Sequence, residues 1–213
     1  MIKRVLDIIT SGIVIAFFWP VFLIIGMIIK MESPGPIFYR QDRIGYNGRI
    51  FRIFKFRKFP QTSNGGPGLT MVRDSRMTKT GKMLERFKLD EFPQFINVFK
   101  GEMSIVGPRP ETPHFAQYYS EDQKKVLQVK PGIFGVNQLV YRREAALFLG
   151  KLDPEQYYIK ELMPQKLKND IAYIERSTVF TDIVILVRCM WSVIIEPFIT
   201  KFYWTFLVKK NRG

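Results

Sequence analysis

The hydrophobic pattern divides the chain into unlike stretches. Residues 8–29 carry no charge at all, a run of 22 positions. About 20 such residues cross a bilayer as a helix. Pro20 falls near the middle of the run, where a proline removes a backbone hydrogen bond and kinks or breaks a helix. Lys3 and Arg4 flank the run on one side, and Lys30, Arg40 and Arg43 on the other. A simple span should show charge asymmetry, because positive residues stay cytoplasmic. A re-entrant helix-break-helix, turning at Pro20, would keep both basic flanks on one face. The residues alone leave re-entrant and spanning readings open. A signal peptide fits less well, since no small-x-small cleavage site follows the run.

Past residue 31 the period changes. Ser33, Pro34, Gly35 and Pro36 make a turn cluster, and residues 37–41 read as a short strand. Residues 45–48 form a second turn. Residues 49–57 then alternate loosely between basic and apolar positions, as a half-buried strand does. Together they predict a small β-hairpin with one basic face formed by Arg49, Arg52, Lys55 and Arg57. Solvation accounts for most of that face; a phosphate-attracting surface beside a membrane is the functional reading. Residues 61–69 are rich in Gly, Ser, Asn and Pro and read as a loop, and residues 80–88 as a short helix.

Phe92, Phe95, Ile96 and Phe99 recur at helical spacing, and Gly101 follows as a stop. Asp90 stands where an N-cap belongs, with Glu91 and Pro93 in the first turn. Two readings of Asp90 stand on spacing alone. One is capping, with both carboxylates complementing the helix dipole. The other is a nucleophile, kept ionised by the helix mouth and brought to a phosphate with the help of a metal ion.

Pro108-Arg109-Pro110 is a stiff unit, and a guanidinium on such a frame loses little freedom on binding a phosphate. On sequence alone a rigid loop with an exposed arginine is the better reading. Ser120 and Gln123 make a capping-box pair opening a short helix, which residues 130–132 stop; residues 133–135 then read as a tight turn. Residues 153–169 are helix-prone and broken at Pro164. Residues 180–208 are apolar and aromatic but carry Asp182, Arg188, Glu196 and Lys201. Those charges argue against a second span. Amphipathic helices in a membrane interface and a buried packing helix both remain open. The expected fold class is α+β and mainly helical. Its parts are a membrane hairpin (1–30), a catalytic domain (31–180) and an interfacial C-terminal segment with a basic tail (181–213).

Composition narrows the partners. The 213 residues carry a formal net charge of +14, with 19 Phe, 9 Tyr and 3 Trp. Such charge implies an anionic partner: nucleic acid, anionic lipid or a phosphorylated small molecule. The lone Cys189 cannot form an internal disulfide and reads as a buried thiol. The lone His114, without cysteines, is no zinc site and reads as a surface residue. The chain has no internal repeat, no P-loop, no G-x-G-x-x-G and no Ser-His-Asp signature.

Taken in order, the motifs resemble one family. They are an apolar segment with a proline, Ser-Pro-Gly-Pro, a basic Phe-x-x-Phe-Lys-Phe-Arg strand, Leu-Asp-Glu-x-Pro-Gln, Gly-Pro-Arg-Pro, and Pro-Gly-Ile-x-Gly. The family is the bacterial sugar transferases, small monotopic polyprenyl-phosphate phosphoglycosyl transferases. The resemblance implies transfer of a phospho-sugar from a UDP-sugar to polyprenyl phosphate at the cytoplasmic face of the bacterial inner membrane, as the first membrane step of glycan assembly, with release of UMP. It implies that Asp90 is the nucleophile and lies at a magnesium ion, and that Glu91 supports acid–base and positioning work. Lys55, Arg86, Pro108, Arg109, Pro110 and Arg142 map onto substrate-binding positions, and Pro20 onto the break in the re-entrant helix. Anionic lipids are expected partners and nucleic acid is not; the oligomeric state stays open, a homodimer included.

Two places depart from the family pattern. Many members carry two basic residues before Leu-Asp-Glu, where this chain reads Glu85-Arg86. After the basic strand, where relatives read Gly-Thr or Ser-Met, this chain reads Lys58-Phe59. Two other readings compete. A membrane-anchored nucleic-acid-binding protein would bind with steep salt dependence, although no nucleic-acid motif is present. A non-catalytic scaffold of the same fold would have little use for Asp90, Glu91 and Arg109.

Overall fold

A computed structural model describes residues 2–61, 76–142 and 144–194. The chain is mainly helical, with two small sheets. Helix α1 (Ile2–Glu32) leads into the hairpin β1 (Phe38–Ile44) and β2 (Ile50–Phe56). Then come α2 (Lys79–Arg86), a 3-10 turn (Leu89–Glu91), α3 (Gln94–Lys100) and β3 (Ser104–Val106). Further along the chain come α4 (Pro113–Ala116), β4 (Gly132–Phe134), α5 (Val136–Val140), α6 (Pro154–Tyr157), α7 (Met163–Arg176) and α8 (Val179–Ile194).

The hairpin forms, but without the expected single basic face: Arg52 is exposed, Lys55 lies on the opposite side of β2, and Arg57 is buried and donates to the Ser33 and Pro34 carbonyls. Phe38 pairs with Phe56 and Ile44 with Ile50 in antiparallel register. Phe51, Ile53 and Phe56 enter the core, while Ile50 and Arg52 face outward. The strands run longer than the turn residues suggest, because β1 continues through Arg43 to Ile44. A second pairing has no sequence alternation behind it. β3 and β4 are parallel, with Ser104 opposite Gly132 and Val106 opposite Phe134. The expected tight turn at residues 133–135 is therefore partly strand. The two strands are three residues each and buried nearly throughout, too short to show a period. Gly132 is required there: a Cβ would fall 2.1 Å from the Gly107 nitrogen.

Helix α1 runs for 31 residues through Pro20, which is exposed. The expected break is thus absent from the helical backbone, and the proline is carried inside one helix. The helix lies along one body throughout. At its start Arg4 donates to the carbonyls of Val98 and Phe99 at 2.6 and 2.9 Å, the C-terminal end of α3, where a cation is favoured. Lys3 donates to the Val106 carbonyl and pairs with Asp182 of α8 at 2.7 Å. The buried Asp7 carboxylate accepts from the Ile105 nitrogen at 3.0 Å. Midway, Phe18 and Phe22 set their rings edge-on against Phe92. At the far end Glu32 accepts from the nitrogens of Lys79 and Thr80, the orphan donors of α2. The opposite face leaves Ile9, Ile13, Phe17, Leu23, Ile24 and Met27 exposed.

The main core joins Phe51, Ile53, Phe95, Val98, Met103 and Ile105, with Val14 and Ile15 of α1 and Ile185 and Leu186 of α8 packed on it. Burial thus crosses the composition boundaries at residues 30 and 180. Pro164 does not break its helix. It sits in the first turn of α7, and the π-helical turn Tyr158–Leu162 precedes it. The Ser120–Gln123 capping box forms, opening a 3-10 stretch (Gln123–Gln128). Cys189 is buried as expected, and His114 is exposed on α4 beside Glu155. The loop expected at residues 61–69 lies almost wholly outside the described residues, as does the basic tail.

Candidate active site

Asp90 is not an N-cap. It occupies the middle of the 3-10 turn, and α3 begins four residues later with Pro93 at its cap. Lys88, immediately before the turn, has φ 56°, the left-handed region, which a β-carbon makes costly by about 1–2 kcal/mol. That residue swings the chain sharply between α2 and the turn. The turn is then fixed from behind by α3. Phe95 and Val98 are buried, and the fully buried Asn97 amide donates to the Arg52 carbonyl while accepting from the Phe54 nitrogen. Asn97 thereby locks α3 to β2 and sets the turn beside Lys55. Phe99, counted with the greasy stripe, is half exposed beside α1.

Around the turn the two carboxylates differ sharply. Glu91 is clamped. Arg109 reaches both its oxygens, Nη1 to Oε2 at 3.2 Å and Nη2 to Oε1 at 2.5 Å, and Lys55 Nζ meets Oε1 at 3.0 Å. Burial would raise the Glu91 carboxyl, but Arg109 and Lys55 outweigh it and hold it well below the ordinary range. Burial pulls Lys55 down to about 8 against the attraction of Glu91. A carboxylate so held is a poor proton acceptor. The positioning half of the role expected for Glu91 is the half this geometry suits.

Asp90 is only 2% exposed. Its Oδ2 lies 3.3 Å from Lys58 Nζ, and its Oδ1 is buried with no hydrogen-bond partner among the described residues. Lys58 also meets Glu85 of α2 at 3.3 Å. Burial pulls the Lys58 ammonium down, but Asp90 and Glu85 on either side outweigh it and raise it. Unpaired buried carboxylate oxygens are costly and rare, so Oδ1 is poised for an incoming electrophile or cation.

The expected site residues thus sort by place. Asp90, Glu91, Lys55 and Arg109 come together. Pro108 and Pro110 are buried on either side of Arg109 and hold it through their carbonyls, which accept from Gly132 nitrogen and Arg43 Nη1. Arg86 is exposed at the end of α2, its guanidinium 5.7 Å from the Phe87 ring centroid. Arg142 donates to the Ser192 carbonyl of α8 at 2.6 Å. Neither appears among the described partners of the two carboxylates. Sequence reasoning passed over Lys58, noticed only as a departure, and Arg43, which braces the Pro-Arg-Pro loop and lies 3.6 Å from Glu111. Two surface hollows, lined by Lys3, Asp7 and Tyr173 and by Arg40, Arg52 and Lys100, lie away from the turn.

No cluster of three or more His, Cys, Asp or Glu side chains able to hold a metal occurs among the described residues. Magnesium does not need one. It is commonly held by one or two carboxylates plus substrate phosphates and water, and the unpaired Asp90 Oδ1 supplies one such oxygen. Among the described residues at the turn, Lys55 and Arg109 are met by Glu91, and Lys58 by Asp90 and Glu85. Lys88 adds a further positive charge beside Glu91. A divalent ion at Asp90 would add to the positive charge met by an arriving diphosphate.

A buried carboxylate met by one lysine, next to a second carboxylate gripped by an arginine and another lysine, is a charge arrangement of the kind that phosphoryl transfer uses. The chain belongs to the bacterial sugar transferase family, which it matches over residues 1–196. A UDP-N-acetylgalactosamine-undecaprenyl-phosphate N-acetylgalactosaminephosphotransferase of Aeromonas hydrophila is 34% identical over 91% of this chain and 44% of its own length. UDP-glucose:undecaprenyl-phosphate glucose-1-phosphate transferases are similar too. That of Caulobacter vibrioides is 34% identical over 90% of this chain and 69% of its own length. That of Escherichia coli is 36% identical over 87% of this chain and 39% of its own length. The chain thus spans less than half the length of two of these three relatives.

Proposed function

We propose that the protein transfers a phospho-sugar from a UDP-sugar to a polyprenyl phosphate through a covalent intermediate on Asp90. The observation that carries this reading is the Asp90 carboxylate, buried, paired on one oxygen and unpaired on the other. An Asp90 oxygen attacks the β-phosphorus, forming an Asp–O–P bond. The bond from that phosphorus to the bridging oxygen breaks, and the electron pair leaves on UMP. The acceptor's phosphate oxygen then attacks the same phosphorus, and the P–O bond to Asp90 breaks, restoring the carboxylate. Arg109, held rigid by Pro108 and Pro110, orients the diphosphate, and Lys55 adds charge. Magnesium bound at Asp90 would neutralise the diphosphate. A two-step route suits a soluble donor and a lipid acceptor that meet at one place.

The same reading places the protein on one leaflet of the bacterial inner membrane, facing the cytoplasm. Support comes from α1: both its ends bond to one body, and its middle packs on Phe92. A spanning helix could not keep those contacts. Its exposed apolar face would sink into lipid, with Asp90 at headgroup depth, and α8 would lie in the interface. Anionic lipids would attract the basic surface.

The test is purified protein with magnesium, polyprenyl phosphate and a panel of UDP-sugars, with UMP as the readout. One sugar should release UMP and, without acceptor, leave a phospho-sugar adduct visible by intact mass. Asp90→Asn should give neither. UMP release by Asp90→Asn at the native rate would remove Asp90 as nucleophile. For the topology, a membrane-impermeant amine reagent should label Lys3 and Lys30 from the same side of sealed vesicles; labelling from opposite sides would make α1 a span.

A further inference from the structure

Two side chains of opposite charge, 27 residues apart in the chain, meet beside Asp90. Lys58 stands two residues past β2, and Glu85 stands in α2; their charged ends are 3.3 Å apart, and Lys58 is 3.3 Å from Asp90 as well. The Lys58 backbone is fixed too. Its carbonyl accepts from the nitrogen of Thr78 at 3.0 Å, and Thr78 caps α2 by accepting from the Gly81 nitrogen. A Cβ at position 81 would fall 2.3 Å from the Lys58 carbonyl oxygen, so only glycine lets α2 rest there. Helix α2 is thus bolted to Lys58 at its beginning and reaches back to the same side chain near its end. The Lys58 side chain is only 14% exposed.

We infer that Lys58 is a catalytic residue of this chain and Glu85 its positioning residue, a lysine–carboxylate unit set against the Asp90 carboxylate. This rests on the phosphoryl-transfer reading above. In the resting protein the ammonium pairs with Asp90 Oδ2 and shields the incoming diphosphate from carboxylate charge. When the Asp–O–P bond forms, the Asp90 charge passes into the ester. The ammonium is then free to turn to the phosphoryl oxygens of the adduct, while Glu85 keeps it from leaving. Arg86, exposed on the other side of α2, is not placed for this.

The test is a charge exchange. Lys58→Ser should slow the UMP burst in the absence of acceptor by about 100-fold, the usual loss when one preorganised donor is removed, with KM for the UDP-sugar changed far less. Lys58→Arg should retain most of the burst. Glu85→Arg alone should also be slow, because it repels Lys58. Lys58→Ser combined with Glu85→Arg should recover at least tenfold over either single variant. A merely structural pair would not give that recovery in burst rate with an unchanged KM. A Lys58→Ser burst within twofold of the native rate, or a double variant no faster than the singles, overturns the inference. Asp90→Asn run alongside separates the two levels: UMP release by that variant sinks the nucleophile, whereas a silent Asp90→Asn beside a native-like Lys58→Ser sinks only the lysine. Should Lys58→Ser not fold, Lys58→Arg and Glu85→Gln decide. A more than threefold slower burst in Glu85→Gln, with Lys58→Arg near native, supports the unit, and an unchanged Glu85→Gln burst overturns it.

Discussion

The Leu89–Glu91 turn has two sides built on opposite principles. On the Glu91 side the carboxylate is fully held: Arg109 grips both oxygens and Lys55 adds a third contact. On the Asp90 side the matching stops halfway, with Oδ2 on Lys58 and Oδ1 buried alone. Adjacent residues of the same chemical type therefore hold different offices. A saturated ion cluster fixes geometry, since breaking it strands buried charge. An unsaturated one keeps a polar atom in reserve for something that is not part of the chain.

The sharpest way to break this comparison is to remove one charge from each side. Asp90→Asn should lose turnover by at least about 10⁴-fold, as loss of a nucleophile does, and still fold. Glu91→Gln should show the reverse emphasis. It strands Arg109 and Lys55 in a buried place and should cost on the order of 3 kcal/mol in urea unfolding, with activity lost through misplacement of both cations. Equal stability losses in the two variants would erase the distinction. Arg109→Lys sharpens it further. A lysine is a point charge and cannot grip both Glu91 oxygens, so KM for the UDP-sugar should rise roughly tenfold while the fold persists. An unchanged KM would leave Arg109 as a clamp alone.

The sequence showed one side of this turn better than the other, for physical reasons. Leu-Asp-Glu and Pro-Arg-Pro are local signals, legible because stiffness and charge are written into consecutive residues. The hairpin was legible from its alternation. The Asp90 side depends on contacts at long separation. Lys58 reaches Glu85 across 27 residues and Asp90 across 32, and no periodicity announces such a meeting. The parallel β3–β4 pair was hidden because strands of three buried residues have no alternation to read. Pro20 misled in the other direction. A proline predicts a break, but α1 is held by Arg4, Phe18, Phe22 and Glu32 along its length, and tertiary contacts carry the helix through. Arg86 and Arg142 came from position in a motif alone, and one faces solvent while the other braces α8.

The smallest effect expected is a pH dependence on the clamped side. Burial brings Lys55 from an ordinary value of 10.5 down to about 8. Between those values the unfolded chain holds a proton that the folded chain has released, so Lys55 makes stability rise with pH across that window. Substrate affinity should move the opposite way, because an anionic diphosphate is attracted by the ammonium and not by the neutral amine. KM for the UDP-sugar should therefore climb a few-fold as pH passes about 8, while the urea midpoint does not fall on account of this group. Lys55→Arg keeps its charge throughout and should flatten the KM profile over the same range. A native KM that stays level from pH 7 to 9.5 would take Lys55 out of diphosphate binding. It would then belong wholly to the clamp, and the division between a saturated Glu91 side and a reactive Asp90 side would be complete.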